Sequence, residues 1–244
     1  MRFAIISDIH GNLSALEAVA RVIESEDLEE VYAAGDLALF GPHSRGCVEM
    51  LRQNGWASVR GNTDRMIADL EELAAAGSLD PESGVGKIVA WTRDQLGPEL
   101  VESLGALPPN ITVQSRAGAG RLSIFHGTPR SDEEGLIEDD GDQRLLQLTE
   151  DAGASAVIGG HTHLSFVRTI DGVLVANAGS VGRSYEGCPG RATYLVLDDQ
   201  SGAWEVEVRH VEYDYRRNYR AIEEVDAPIG RKFAEPFLTA IAPS

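Results

Sequence analysis

Phe3-Ala4-Ile5-Ile6-Ser7-Asp8-Ile9-His10-Gly11-Asn12 is the stretch on which the fold class turns. Four successive apolar residues, Phe3 to Ile6, read as a strand buried on both faces. The run stops at polar Ser7-Asp8, and Leu13, Leu16, Ala20 and Ile23 then recur at helical spacing. Val31 to Ala34 reads as a second short strand, stopped by Gly35-Asp36. A helix around Cys47 to Leu51 and a strand at Ala57-Ser58-Val59, ended by Gly61-Asn62, complete a βαβαβ opening. Such an opening favours parallel strands with helices packed outside them, an α/β chain.

The middle reads as helical, over Arg65 to Ala75 and Lys87 to Leu96, with a shorter piece before Leu107-Pro108-Pro109. The texture then changes. Ile111 to Ser115 and Leu122 to Phe125 look like strands around a Gly-rich turn, and a helix near Gln143 to Thr149 follows. Further strands are expected at Ala156 to Ile158, Ser165 to Ile170, Val173 to Ala176, Ala192 to Leu197 and Trp204 to Val211. Asp171-Gly172 is a hairpin-turn signal. Trp204, Val206 and Val208 alternate with charged neighbours, and His210 continues their face as an expected packing residue. No linker or repeat interrupts the chain, so residues 1–244 read as one domain with a helical tail from about 214.

With 43 % hydrophobic and 25 % charged residues the chain has an ordinary globular composition. The apolar run at the start is too short for a signal-peptide core, and the expected location is the cytoplasm. Cys47 and Cys188 lie far apart with no paired spacing, so free thiols are expected. The net charge of −18 repels nucleic-acid backbones and anionic lipid, which makes nucleic acid and membrane poor partners. A small anionic substrate is still compatible, because bound cations reverse the potential inside one pocket. The acidic stretch Asp132 to Asp142 reads as a solvated loop.

Residues with metal-ligand chemistry follow predicted strands in five places: Asp8-Ile9-His10, Gly35-Asp36, Gly61-Asn62-Thr63-Asp64, Phe125-His126-Gly127 and Gly159-Gly160-His161-Thr162-His163. Carboxylate, imidazole and amide oxygen suit hard and borderline cations. Residues two apart on an extended segment point the same way, so Asp8 with His10, and His161 with His163, can enter one site. Each piece alone is ordinary: a turn aspartate, a helix cap, a core histidine. Together they place four of the chain's six histidines at strand ends.

In this order the motifs resemble the calcineurin-like metallophosphoesterase superfamily, over Phe3 to about Leu197. Ser7 to Asn12 and Asn177-Ala178-Gly179-Ser180-Val181-Gly182 resemble its small bacterial and archaeal phosphodiesterase branch. The resemblance implies a four-layer α/β/β/α sandwich of two mixed β-sheets flanked by helices. It implies that Asp8, His10 and His163 hold one divalent metal and that Asn62, His126 and His161 hold a second, with Asp36 bridging both. Manganese or iron suits that ligand set best; zinc, cobalt and nickel are also compatible. Asp36 and Asn62 then serve catalysis through a metal-bound hydroxide and the phosphate of a small or nucleotide-like ester.

The sequence departs from many relatives at one pair of positions. A histidine after Gly-Asn and an aspartate three residues past the bridging one are replaced by Thr63 and Leu39. Without that pair a general acid for poor leaving groups is missing, which favours phosphodiesters or activated esters. A phosphomonoesterase or nucleotide pyrophosphatase with the same metals is the alternative enzyme, and a non-catalytic metal-binding scaffold the alternative of another class. His43 is the candidate substitute acid. Asn12, Thr63 and Arg183 are the candidate substrate contacts.

Overall fold

The structure, a computed structural model, describes residues 1–243. The chain begins β1 (Arg2–Ile6), α1 (Leu13–Ile23), β2 (Glu30–Ala33), α2 (Ser44–Gln53) and β3 (Ala57–Ser58). Four helices follow: α3 (Asn62–Ala68), α4 (Leu70–Ala75), α5 (Gly84–Leu96) and α6 (Pro98–Gly105). Next come β4 (Asn110–Gln114), β5 (Arg121–Phe125), α7 (Asp142–Thr149), β6 (Ala156–Gly159), β7 (Ser165–Ile170) and β8 (Val173–Ala178). The last elements are β9 (Arg191–Asp198), β10 (Glu205–Glu212), α8 (Tyr215–Glu224), α9 (Arg231–Ala234) and α10 (Pro236–Thr239).

Two five-stranded mixed sheets result, ordered β10-β9-β1-β2-β3 and β4-β5-β6-β8-β7. β1, β2 and β3 run parallel, as do β5, β6 and β8; β9 and β10 extend one side of the first sheet by antiparallel pairing, and β4 and β7 do so on both sides of the second. The period of two along each strand sorts side chains into layers. Phe3 and Ile5 of β1 face Leu122, Ile124 and Ile158 across the sandwich, whereas Ala4 and Ile6 face Leu16 and Val19 of α1. On the second sheet Val157 and Val175 turn outward against Leu145 and Leu148 of α7. Each sheet is thus buried on both faces, and the architecture is the α/β/β/α sandwich expected.

The tail joins the first of these cores: Ile222 of α8, Ala234 of α9 and Phe237 of α10 pack in one cluster with Leu16 and Tyr194. The helix expected over Arg65 to Ala75 is two helices, starting earlier, at Asn62, and broken at Asp69 (φ −108°), a poor helix former. His210 departs from its expected packing role. It lies exposed on edge strand β10, hydrogen-bonded through Nδ1 to the Thr193 hydroxyl at 3.1 Å. The acidic loop is also tied down, with Asp132 and Glu133 on Arg65 and Glu134 on Arg144. Cys47 is buried and Cys188 half-buried, both free. Among the described residues no helix is long and apolar enough to cross a membrane.

Candidate metal centre

The carboxyl ends of the parallel strands converge at one edge of the sandwich, where open α/β sheets place their ligands. The turn after β1 carries Asp8 and His10, the turn after β2 carries Asp36, and α3 starts on Asn62 just past β3. From the other sheet, His126 follows β5, and His161 and His163 follow β6. The structure brings all seven side chains together. Asp8 Oδ1 lies 3.2 Å from His163 Nε2 and 3.7 Å from His10 Nε2, and the two imidazole nitrogens are 3.1 Å apart. Asn62 Oδ1 lies 2.9 Å from His126 Nε2 and 3.1 Å from His161 Nδ1. Asp36 stands between these groups, Oδ2 at 3.6 Å from His10 Nε2 and Oδ1 at 3.4 Å from His126 Nε2.

Hydrogen bonds outside the cage fix how His126, His163 and Asp8 point. His126 Nδ1 donates to the Ala34 carbonyl at 2.7 Å and His163 Nδ1 to the Arg183 carbonyl at 2.5 Å, so both Nε2 lone pairs face inward. Asp8 Oδ2 accepts from the Ser7 hydroxyl (2.6 Å) and the His161 N–H (2.9 Å). Asp8 Oδ1 and His10 Nδ1 are buried without a hydrogen-bond partner. Burial pushes the Asp8 carboxyl up, yet His163 and His10 hold it well below the usual carboxylate range. Burial lowers the pKa of His10, and that of His161 with His126 adding to it. For His126, Asp36 and Asp8 outweigh burial and raise it.

The sequence of residues 1–202 matches the model of the calcineurin-like phosphoesterase superfamily domain. The chain belongs to this family. A relative from Methanocaldococcus jannaschii is 28 % identical over 237 residues, 90 % of each chain. A metallophosphoesterase from Sphaerobacter thermophilus has a similar fold, with a TM-score of 0.79 at 23 % identity over 99 % of this chain and 100 % of that one. A protein from Pyrococcus horikoshii superposes with a TM-score of 0.81 at 18 % identity over 99 % of both.

Metals are therefore part of the question for this phosphoesterase, and the donor set accommodates them. Four imidazoles, one amide oxygen and two carboxylates suit borderline divalent cations. Two donors each ~2.1 Å from one cation stand ~3.0 Å apart at right angles and somewhat farther at wider angles. The spacings from 2.9 Å (Asn62 to His126) to 3.7 Å (Asp8 to His10) fall on that scale. Oδ1 of Asp8, without a donor although its sister oxygen has two, is an acceptor that a cation would satisfy.

The backbone of this phosphoesterase is bent hardest at the same place. Asp8, His10, Asp36, Leu39, Phe40, His161 and His163 all have positive φ, between 48° and 81°. Non-glycine residues rarely adopt that region and pay of order 1–3 kcal/mol to do so. Sequence inspection missed these strained turns and the bracing role of Asp64, although it singled out the segment that carries Asn177. Asp64 accepts the backbone N–H groups of Asp36, Leu37 and Gly61 at 2.9 to 3.0 Å, joining the β2 and β3 turns. Burial and the Asp36 carboxylate push its pKa up to about 7, against the pull of those N–H groups and His126. Asn177 Nδ2 donates to Gly160 O (2.6 Å) and Thr162 Oγ1 (3.0 Å), holding the His161–His163 turn. The spacing from Gly61 to Asp64, that of a helix-capping box, was the available signal for the first.

The proposed substrate residues divide. Asn12 is buried and committed: Oδ1 accepts the Ala15 N–H as the α1 cap, and Nδ2 donates to Gly182 O (2.7 Å) and Tyr213 Oη (3.1 Å). The Thr63 hydroxyl donates to the Ala38 carbonyl at 3.1 Å, and its N–H to Asp36 Oδ1 at 2.9 Å. Leu39 is fully buried. His43 is exposed at the start of α2, where burial of its ring and Arg217 lower its pKa and Glu17 raises it; no cage group acts on it. Arg183 is buried beside the Asp8–His10–His163 half. Asn62 and His161 alone of the seven are half-exposed, so the cage opens on their side.

Proposed function

We propose that this phosphoesterase holds two divalent cations, manganese or iron by preference, and hydrolyses small phosphodiesters or esters with good leaving groups. The observation that carries the two-metal part is Asp36, whose two oxygens face different imidazoles, His10 and His126. Two bound cations supply Lewis-acid polarisation of phosphoryl oxygens and a water acidic enough to ionise near neutral pH. Asp8, His10 and His163 would hold one and Asn62, His126 and His161 the other, with Asp36 between. Half-exposed Asn62 and His161 line the entry by which an ester reaches the cage. The buried turns on the far side exclude bulk water, which strengthens every charge interaction there.

The preference for diesters rests on Leu39 and Thr63, neither of which can hand a proton to a departing alkoxide: one is apolar, and the hydroxyl of the other is engaged by Ala38. The test joins elemental analysis of purified protein to hydrolysis of bis-aryl and mono-aryl phosphate esters with added manganese. Two metals per chain and faster turnover of the diester are expected. A clear preference for the monoester would replace the diesterase reading with a phosphomonoesterase. Metal-loaded protein that hydrolysed neither would leave a scaffold.

A further inference from the structure

Among the described residues, Arg183 is the buried cation that no carboxylate partners. The residue is 4 % exposed. Nη1 donates to the Tyr185 hydroxyl at 2.6 Å, Nη2 to the Phe233 carbonyl at 3.3 Å, and Nε–H has no partner. The acidic groups whose charge reaches it are Asp36 and Asp8. Its guanidinium lies 4.6 Å from the centroid of Phe40, whose ring is 5.6 Å from His10 on the other side. Tyr185 in turn stacks on His163 at 4.3 Å. A guanidinium out of water with no counter-charge is costly, and aromatic faces recover only part of that cost. A fold that fixes one against a phosphoester cage gains when an anion arrives, and the guanidinium fork matches phosphate oxygens two at a time.

We propose that Arg183, with Tyr185, forms an anion subsite beside the Asp8–His10–His163 half of the cage, which binds phosphoryl oxygens of the substrate. The proposal rests on the reading of the cage as a phosphoester site. Phe40 and Tyr185 are half-buried, and each contacts both the guanidinium and a cage histidine, His10 for Phe40 and His163 for Tyr185. The subsite is a feature of the C-terminal extension as much as of the family domain. The family match ends at residue 202, yet Phe237 lies 5.7 Å from the guanidinium and Phe233 stacks on Phe40 at 5.5 Å.

Isothermal titration of manganese-loaded protein with inorganic phosphate, with metal content measured on the same samples, tests the subsite. Arg183→Met should weaken phosphate binding at least tenfold while the protein keeps wild-type metal content. Arg183→Lys keeps a charge but not the fork, and serves if the methionine variant does not fold; it should weaken binding at least threefold. A purely structural Arg183, acting through its carbonyl on His163, would instead lower metal content and leave phosphate affinity per loaded site unchanged, and that result overturns the subsite. Wild-type protein that holds metal but binds no phosphate overturns it as well. Wild-type protein that takes up no metal overturns the cage reading itself, together with everything built on it.

Discussion

Oδ2 of Asp64 accepts the backbone N–H of Asp36 at 2.9 Å across 28 residues of chain. The same oxygen takes the Gly61 N–H, and Oδ1 takes that of Leu37. Three donors from two turns thus share one carboxylate that never faces the cage. Asp36 and Asn62 belong to opposite ends of this clamp, so the distance between the proposed bridging ligand and the Asn62 amide depends on it. Asp64→Asn is isosteric but turns one acceptor into an NH2 group facing N–H donors. Leaving such donors buried and unpaired costs about 1–3 kcal/mol. Groups that orient metal ligands typically change affinity 10–100-fold when altered. Chelator competition should show a loss of that order in D64N, beside a lower unfolding midpoint. Wild-type metal affinity in the variant would mean that the turns hold their shape without Asp64.

The side chains of Leu39 and Thr63 make a prediction about rate. With no proton donor at those positions, kcat should fall steeply as the leaving group becomes more basic, by roughly 10²–10⁴ between nitrophenyl and alkyl esters. Thr63→Val should leave that dependence intact, because the hydroxyl it removes is bonded to Ala38 O and serves the turn. A stability loss of about 1 kcal/mol with kcat within threefold is expected. A flat dependence on leaving-group pKa in the wild type would reveal an acid that the geometry does not identify.

His43 is the one ionisable side chain that sequence offered as a substitute acid. It is exposed at the α2 N-terminus, and the charges near it are Arg217 and Glu17, on the outer helices. A proton donor must come within hydrogen-bond reach of the leaving oxygen, directly or through one water. His43→Gln is therefore expected to change kcat less than twofold at neutral pH. A tenfold loss, rescued by better leaving groups, would restore the acid role.

The parts of this molecule legible in sequence are those set by local periodicity. Phe3 to Ile6 alternate between the two cores of the sandwich, and a reader of the sequence sees that as an uninterrupted apolar run. The convergence of the seven cage residues was legible only from the five motifs taken together in order, through their family resemblance, because each motif alone has an ordinary reading. Contacts between distant segments left no such trace. Asp64 looks like the first residue of a helix capped by Asn62 or Thr63 until Asp36 is placed over it. Asn177 looks like a turn residue until the His161–His163 loop arrives above its amide. His210 shares a strand face with Val206 and Val208, yet they pack against the core and it is exposed, and no spacing rule carries that information. The left-handed turns at Leu39 and Phe40 are equally silent, since neither residue type favours that conformation.

Glu186 ties the two sheets together near the cage and supplies a prediction in pH. Its Oε1 accepts the Ser165 N–H (3.1 Å) and hydroxyl (2.6 Å) at the start of β7. Oε2 accepts from Arg191 Nη2 (3.1 Å) and the Thr193 hydroxyl (3.3 Å) on β9. Burial pushes this carboxyl up, but the Ser165 donors and Arg191 outweigh it, and its pKa is lowered from 4.5. A lowered carboxyl pKa means that the unfolded chain binds the proton more readily. The contribution is therefore complete above the unfolded pKa and is lost as pH falls through the lower, folded one. Arg191 is 34 % exposed, so solvent screening keeps the ionic part small, and the total comes to about 1 kcal/mol. Unfolding of wild type and Glu186→Gln, followed from pH 7 to pH 3, should show a constant gap above about pH 5. Below the usual glutamate range that gap should close. If it widened on acidification instead, the carboxylate would be strained in the native state, and its four donors would not be the reason the strands stay joined.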